Sequence, residues 1–252
     1  MANTNIKPVT HVLFDMDGLL LNTEIVYEKV FQEVCLKFGK ALTPEARIKL
    51  LGSTERRSCE ICVNDLNLNC TVDEFVKDFR ELSQQRLPNV DFMPGAERLV
   101  RHLHANNVPI CVATSSGSES VKIKTQNHQE VFKLFHHITK GTDVKEGKPS
   151  PEIFLLAASL FEPKADPINC LVVEDAPNGV QGAISAGMQV VMVPGPLITE
   201  ENRSKATIAI KSLEEFKPEL FGLPPFKINL LVPIHVNKSA LFIKHIMHKL
   251  FT

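Results

Sequence analysis

The stretch that decides the fold reads His11-Val-Leu-Phe-Asp-Met-Asp-Gly-Leu-Leu-Leu-Asn-Thr-Glu24. Its apolar residues 12–14 favour a β-strand, and Asp15 and Asp17 follow two positions apart. Residues at i and i+2 of a strand share a face, and Gly18 allows the chain to turn. Two close carboxylates repel each other, so a hard cation such as Mg²⁺ is a natural partner for them. An ordinary polar turn explains the same residues, because Asp and Gly are common in turns.

The composition indicates a soluble globular protein. The 252 residues are 44% apolar and 23% charged, which suits one core or a core domain with a small second domain. The net charge of −1 gives no electrostatic reason to expect a nucleic acid or an anionic membrane as partner. Residues 1–10 are polar and lack the apolar segment of a signal peptide. We therefore expect a cytoplasmic monomer with reduced thiols, without stable membrane association.

Residues 24–92 have the pattern of helices. Apolar residues recur there at spacings of three and four, as in Phe75, Phe79 and Leu82. Thr43-Pro44-Glu45 is typical of a helix start, and Thr71 with Glu74 predicts a capping box. The pattern indicates a helical insert after the first strand. An α-rich part of one continuous domain fits it equally well.

Two later apolar runs also end in polar residues. Residues 108–113 are followed by Thr114 and Ser115, and residues 170–173 are followed by Glu174 and Asp175. A hydroxyl beside free backbone N–H groups can bind a phosphate oxygen. Taken alone, each of these ends is equally typical of an ordinary loop.

Lys148 lies in a Gly-Lys-Pro loop that is not a Walker A loop. That motif needs Gly at position 142 and a hydroxyl at position 149, where this chain has Thr and Pro. Further strands are predicted near 136–139, 189–193 and 207–210, and helices at 96–106, 152–160 and 180–186. This alternation predicts an α/β fold with a doubly wound parallel sheet.

Four motifs in this order resemble those of the haloacid dehalogenase superfamily of phosphohydrolases. They are Asp-Met-Asp-Gly at 15–18, the strand that ends in Thr114, the Lys148-Pro loop and the acidic pair at 174–175. The resemblance implies a Rossmann-like core at residues 8–22 and 93–224 and a small all-helical cap at 23–92. Residues 225–252 are left as an atypical basic tail, either an amphipathic helix or an appended segment without a role.

The resemblance also implies a mechanism on a small phosphomonoester. Asp15 would be the nucleophile that forms a phosphoaspartate, and Asp17 the general acid and base. The cofactor would be Mg²⁺, and the other implied roles are metal binding by Asp15, the backbone carbonyl of Asp17 and Asp175, and phosphate binding by Thr114, Ser115 and Lys148. Ser116 is a weaker candidate, and Glu174 would hold a metal-bound water or only its loop.

Within the superfamily, several stretches between Pro8 and Pro224 are similar to animal phosphatases that act on pseudouridine 5′-phosphate. They include residues 93–97, 113–117, 174–179 and 186–194. Those enzymes have Asp where this chain has Asn22, and their loop at 141–147 is a little longer. A phosphatase of sugar phosphates, a hexose-phosphate mutase and a catalytically weak binding protein are the alternatives.

Overall fold

Six parallel strands form one sheet in the order β3-β2-β1-β4-β5-β6. The computed structural model describes residues 6–50 and 55–227, so the predicted tail lies outside it beyond residue 227. The strands are β1 His11–Phe14, β2 Ile110–Thr114, β3 Ile138–Lys140, β4 Cys170–Glu174, β5 Gln189–Met192 and β6 Ile208–Ala209. The strand order changes direction at β1, which pairs with both β2 and β4. The predicted doubly wound parallel sheet is confirmed.

Helices fill the connections between the strands. They are α1 Thr23–Lys37, α2 Pro44–Leu50, α3 Glu55–Asp65, α4 Val72–Arg86, α5 Ala96–Ala105, α6 Ser118–Thr125, α7 Gln129–Phe132, α8 Glu152–Ser159, α9 Pro177–Ser185 and α10 Glu200–Arg203. Short 3₁₀ turns lie at Leu87–Asn89, Gly141–Asp143, Pro167–Asn169, Leu213–Glu215 and Pro218–Phe221. The sequence pattern had not predicted α6, α7 and α10, because α6 has few apolar residues and the other two have only four residues each.

Each face of the sheet carries its own hydrophobic core. Val12 and Phe14 of β1 pack into one core with α5, and Leu13 packs into the other with α8 and α9. Alternate residues of a strand point to opposite faces, so a strand covered by helices on both faces is apolar throughout. This burial fixes β1 and hence the position of the residues that follow it.

Helices α1 to α4 enclose a third hydrophobic core. Phe31 of α1 stacks on Phe79 of α4 with ring centroids 4.3 Å apart. Thr71 and Glu74 form the predicted capping box at the start of α4. Cys59 and Cys62 of α3 are free thiols buried in this core.

The chain enters and leaves the α1–α4 region through adjacent segments. The N–H of Asn22 donates to the carbonyl oxygen of Asp91 at 2.9 Å, and that of Met93 donates to the carbonyl oxygen of Leu20 at 2.8 Å. Residues 20–22 and 91–93 therefore lie side by side. None of the helices in the described ranges is long and apolar enough to cross a membrane.

Candidate active site

Asp15 lies at the carboxyl edge of the sheet, directly after β1. It is 6% exposed, and its N–H donates to the carbonyl oxygen of Val173 on β4 at 3.0 Å. Ligands of open α/β sheets bind outside the carboxyl ends of the strands, where the strand order reverses. The burial of β1 between its two neighbours thus places Asp15 where a ligand would bind.

Gly18 shapes the loop that follows. Its φ of +81° is in the left-handed region that favours glycine. A Cβ atom at this position would lie 2.4 Å from Oδ2 of Asp175. The glycine is therefore needed both for the turn and for the close approach of Asp175.

Three carboxylates meet beside this loop. Asp15, Glu174 and Asp175 each offer an oxygen, and these atoms lie within 4.8 Å of one another. Hard divalent cations bind carboxylate oxygens. The structure thus brings together the two predicted carboxylate ligands, Asp15 and Asp175, and adds Glu174. The predicted role of Asp17 in metal binding concerns its backbone carbonyl and stays a prediction.

Lys148 is the cation of this acidic cluster. Its Nζ donates to Oδ1 of Asp15 at 2.5 Å, to Oε1 of Glu174 at 2.6 Å and to the carbonyl oxygen of Ala113 at 3.0 Å. With this side chain 7% exposed, all three bonds are shielded from water. The loop after β3 thus places Lys148, the predicted lysine, in contact with Asp15, the nucleophile candidate.

Glu174 is itself held in place by backbone groups. Its Oε2 accepts hydrogen bonds from the N–H groups of Asp175 and Ala176 at 3.0 and 3.2 Å. A Cβ atom at Gly179 would lie 1.8 Å from Oε1 of Glu174, so the glycine leaves the room this carboxylate occupies. Glu174 therefore fixes its loop and binds Lys148, in addition to contributing an oxygen to the group of three carboxylates.

The acidic cluster has shifted pKa values. Burial raises the pKa of Asp15 to about 7; the ammonium of Lys148 opposes this shift, and the carboxylates of Glu174 and Asp17 add to it. Burial, followed by Glu174 and Asp15, raises the pKa of Asp175. Burial alone would lower the pKa of Lys148, but Asp15 and Glu174 more than offset it and raise that pKa. Negative charge in this cluster is therefore only partly compensated by Lys148.

Asp17 occupies a second, separate polar cluster. Its Oδ1 accepts a hydrogen bond from Nζ of Lys124 at 2.7 Å. Its Oδ2 accepts hydrogen bonds from Oγ of Ser116 at 2.7 Å and from Oγ1 of Thr114 at 3.4 Å. The predicted acid–base residue and the predicted phosphate-binding threonine are thus in contact.

The two serines after Thr114 differ in their surroundings. Ser115 is exposed, whereas Ser116 contacts Asp17 and donates its N–H to Oγ1 of Thr114 at 3.0 Å. The weaker candidate of the sequence analysis is therefore the serine in contact with the polar cluster. Phosphate binding by Ser115 stays a prediction.

Lys124 was missed by the sequence analysis. It lies on α6 and is 2% exposed. The one signal in the sequence is its spacing of three from the apolar Val121, which places both residues on one face of a helix, and the structure buries that face. A lysine on a helix usually lies in solvent, and its partner Asp17 is 107 positions away in the chain.

Asn22, where the related enzymes have Asp, precedes helix α1, and Asn is a residue type common at helix N-caps. Helix α1 begins at Thr23 and Asn22 is its N-cap residue, yet its side chain makes no capping hydrogen bond. Its backbone ψ of 55° departs from the extended values usual at an N-cap. The hydrogen bond of its N–H to Asp91 holds it in this conformation.

Comparisons with known proteins agree with this arrangement. The sequence model of the haloacid dehalogenase-like hydrolase family matches residues 12–193, a range that contains every predicted site residue. The chain is 46% identical to a probable pseudouridine-5′-phosphatase of Drosophila melanogaster, over 90% of this chain and 99% of the relative. It is 42% identical to (DL)-glycerol-3-phosphatase 2 of Arabidopsis thaliana, over 87% of this chain and 93% of that relative.

Among solved structures, the chain is similar to a hydrolase of the same family from Deinococcus radiodurans, which was solved with bound phosphate and sodium. The TM-score is 0.75 at 23% sequence identity, and the match covers 86% of this chain and 99% of the other. At this identity the likeness supports the fold.

Proposed function

The chain belongs to the haloacid dehalogenase-like hydrolase family, and we propose that it is a Mg²⁺-dependent phosphomonoesterase that acts on pseudouridine 5′-phosphate. The observation that carries the proposed reaction is Asp15, buried at the end of β1, bound to Lys148 and clustered with Glu174 and Asp175. The identity of 46% with the Drosophila protein supports the substrate.

The charges of the acidic cluster suit a divalent cation. Three carboxylates against the single ammonium of Lys148 leave a formal charge of −2 when all are ionised. Asp15, Asp175 and the backbone carbonyl of Asp17 would hold Mg²⁺, with Glu174 beside them. When bound, Mg²⁺ would neutralise this charge and that of the substrate phosphate.

Asp15 is the proposed nucleophile. Its carboxylate oxygen forms a bond to phosphorus while the ester P–O bond breaks, and the bonding electron pair leaves with the substrate oxygen. The result is a phosphoaspartate and the free alcohol, so one difficult hydrolysis is divided into two easier steps. Because the uncatalysed hydrolysis of phosphate monoesters is very slow, enzymes must accelerate it by up to ~10²¹-fold.

Asp17 is the proposed acid and base. It gives its proton to the departing oxygen in the first step. In the second, water attacks phosphorus, the bond from Asp15 to phosphorus breaks, and Asp17 takes the proton from that water. Its contacts with Thr114 and Ser116 support a place beside the phosphate.

Thr114, Ser115 and Lys148 are the proposed phosphate-binding residues. Lys148 already lies 2.5 Å from Asp15, so its ammonium can face the phosphoryl oxygens as charge spreads over them. Thr114 at the end of β2 contributes a hydroxyl, and Ser115 a backbone N–H and a hydroxyl. These groups would hold phosphorus in line with Asp15.

The α1–α4 region, within residues 23–92, is the proposed cap. It has its own hydrophobic core, and its two connections to the core domain run side by side at 20–22 and 91–93. Such a pair of neighbouring segments can act as a hinge. A closing cap would exclude water and contact the nucleoside part of the substrate. Gly52 and the polar run Ser53 to Arg57 are a candidate substrate loop, although a turn that connects two helices explains the same residues. Residues 52–54 of this stretch lie outside the described ranges.

We further propose that the protein works as a cytoplasmic monomer. All six cysteines are free thiols, which supports a reducing compartment.

Glycerol 3-phosphate is the second candidate substrate, favoured by the 42% identity with the Arabidopsis protein. A sugar-phosphate phosphatase and a hexose-phosphate mutase would use the same carboxylates. A weak, substrate-binding relative is disfavoured, because Asp15, Lys148 and Asp175 are present and lie together in one cluster.

A phosphate-release panel tests the proposal. Purified protein with Mg²⁺ is offered pseudouridine 5′-phosphate, uridine 5′-phosphate, glycerol 3-phosphate and hexose phosphates. We expect the highest kcat/KM on pseudouridine 5′-phosphate. A higher value on glycerol 3-phosphate would reassign the substrate, and conversion of a hexose phosphate to its isomer without phosphate release would indicate a mutase.

A further inference from the structure

Lys124 is a buried cation beside the proposed acid–base residue. It stands outside the four motifs, and the mechanism above gives it no task. Its side chain is 2% exposed, and its Nζ donates to Oδ1 of Asp17 at 2.7 Å and to Oγ of Ser116 at 2.9 Å. A lysine is rarely buried to this extent unless it is paired.

The surroundings of Lys124 keep it charged. Burial alone would lower its pKa, but the carboxylate of Asp17 and the hydroxyl of Tyr27 more than offset this and raise the pKa above its ordinary value. The ring of Tyr27, on α1, lies 5.5 Å from Nζ. Lys124 thus connects the polar cluster of the core with the first helix of the proposed cap.

The hydrogen bonds around Asp17 form a closed set. Lys124 binds Oδ1, Ser116 binds Oδ2, and Lys124 also binds Ser116. The N–H of Ser116 in turn is bound to Thr114. Because both carboxylate oxygens are held from different directions, the side chain of Asp17 has one favoured orientation.

We propose that Lys124 is a positioning residue, which orients the carboxylate of Asp17 for proton transfer. This inference rests on the proposed phosphomonoesterase function. An acid or base must lie within hydrogen-bond reach of the proton it transfers, and Asp17 lies in a glycine-containing turn that leaves its side chain 28% exposed. The turn does not hold this side chain in one orientation, and Lys124 supplies the hydrogen-bond partner that does.

The leaving group separates this role from a purely structural one. An alkyl oxygen must be protonated as it leaves, whereas p-nitrophenolate leaves without a proton. Loss of Lys124 should therefore impair alkyl phosphates selectively. Because kcat/KM reports the steps up to phosphoryl transfer, it is the quantity to compare.

The test compares Lys124→Met with Lys124→Arg, which keeps the charge, and with Lys122→Met, a change at an exposed lysine of the same helix. For Lys124→Met we expect a loss of at least about 10-fold in kcat/KM on a nucleoside 5′-monophosphate and less than about 3-fold on p-nitrophenyl phosphate. Lys124→Arg should recover most of the loss, and Lys122→Met should match the wild type. If Lys124→Met does not fold, Lys124→Gln, which keeps a hydrogen-bond donor, takes its place.

The same change in an Asp17→Asn background completes the test. There, loss of Lys124 should not reduce kcat/KM on the nucleotide further, because its carboxylate partner is already absent. Equal losses on both substrates, or a further loss in the Asp17→Asn background, would overturn the positioning role while leaving the proposed function intact. Absence of phosphate release by the wild type would instead overturn the proposed function.

Discussion

Lys148 orders the proposed site before any substrate arrives. Its three hydrogen bonds join the ends of β1, β2 and β4 through Asp15, Ala113 and Glu174. Bonds to charged partners are stronger than neutral ones, and a buried ammonium without them would be costly. One side chain thus fixes the nucleophile candidate and the carboxylate of Glu174 relative to each other.

Asn22 gives a prediction at the residue scale. Its side chain makes no capping bond, so Asn22→Asp should change kcat/KM by less than about 3-fold. The added negative charge at the start of α1 should raise the stability slightly, by about 0.3–1 kcal/mol. Steady-state kinetics and urea unfolding measure the two effects, with Asn22→Ala as the uncharged control. An increase of activity by an order of magnitude would show that this chain lacks a needed charge.

Some residues of the site could be predicted from sequence because each follows an apolar strand. Asp15, Thr114 and Asp175 are examples, and the structure places all three at one edge of the sheet. Lys124 could not be predicted, because the sequence does not distinguish a solvated lysine on a helix from a buried one that is paired. Its burial depends on a contact with Asp17 that only the folded chain creates.

At the scale of elements, the sequence predicted helix starts that have capping residues better than it predicted helices that have few apolar residues. Thr71 and Glu74 satisfy two backbone N–H groups of α4, so their spacing is informative by itself. Helix α6 has few apolar residues, and its buried positions include Lys124 and Thr125. The burial of α6 therefore depends on polar partners elsewhere in the fold, which the sequence pattern of the helix does not reveal.

The chain still packs on α5 two residues past Pro224. Phe226 lies beyond the predicted boundary at Pro224, yet it packs on α5, with the guanidinium of Arg98 4.0 Å from its ring centroid and the ring of His102 at 4.4 Å. Nε2 of His102 also contacts the carbonyl oxygen of Pro224 at 2.8 Å. The segment up to Phe226 is therefore part of the packed structure.

Two truncations test this boundary. A chain that ends at Lys227 should match the full chain in melting temperature and kcat/KM. A chain that ends at Pro224 should fold and keep its activity, but lose ~1 kcal/mol, or about 3 °C, with the contacts of Phe226. Differential scanning calorimetry measures the difference. Loss of activity in the chain ending at Lys227 would show that residues 228–252 contribute to the function.

At the scale of the whole molecule, sheet topology brings distant residues together. Asp15, Thr114, Lys148 and Asp175 are spread over 161 positions of the chain, counted from 15 to 175 inclusive, and parallel strands place them at one edge. The alternation of strands and helices predicted this class of sheet. It did not predict the order β3-β2-β1-β4-β5-β6, which depends on contacts between strands far apart in sequence.

The acidic cluster predicts a pH-dependent stabilisation by Mg²⁺. The pKa of Asp15 is raised from 3.8 to about 7, so its contribution to stability is full below pH 3.8 and is lost as the pH rises through 7. Mg²⁺ binds the ionised carboxylates and should restore this loss. The rise in melting temperature on adding Mg²⁺ should thus be larger at about pH 8 than at about pH 5. Asp175→Asn serves as the control, and an equal rise at both pH values would contradict the proposed metal position.

The most direct measurement is phosphate release from pseudouridine 5′-phosphate, with Mg²⁺, by the wild type and by Asp15→Asn. Circular dichroism and the melting temperature first establish that the variant is folded. We predict release by the wild type and a loss of at least about 10³-fold in kcat for the variant, since the nucleophile is gone. A folded Asp15→Asn variant with near wild-type kcat would contradict the assignment of Asp15 as nucleophile.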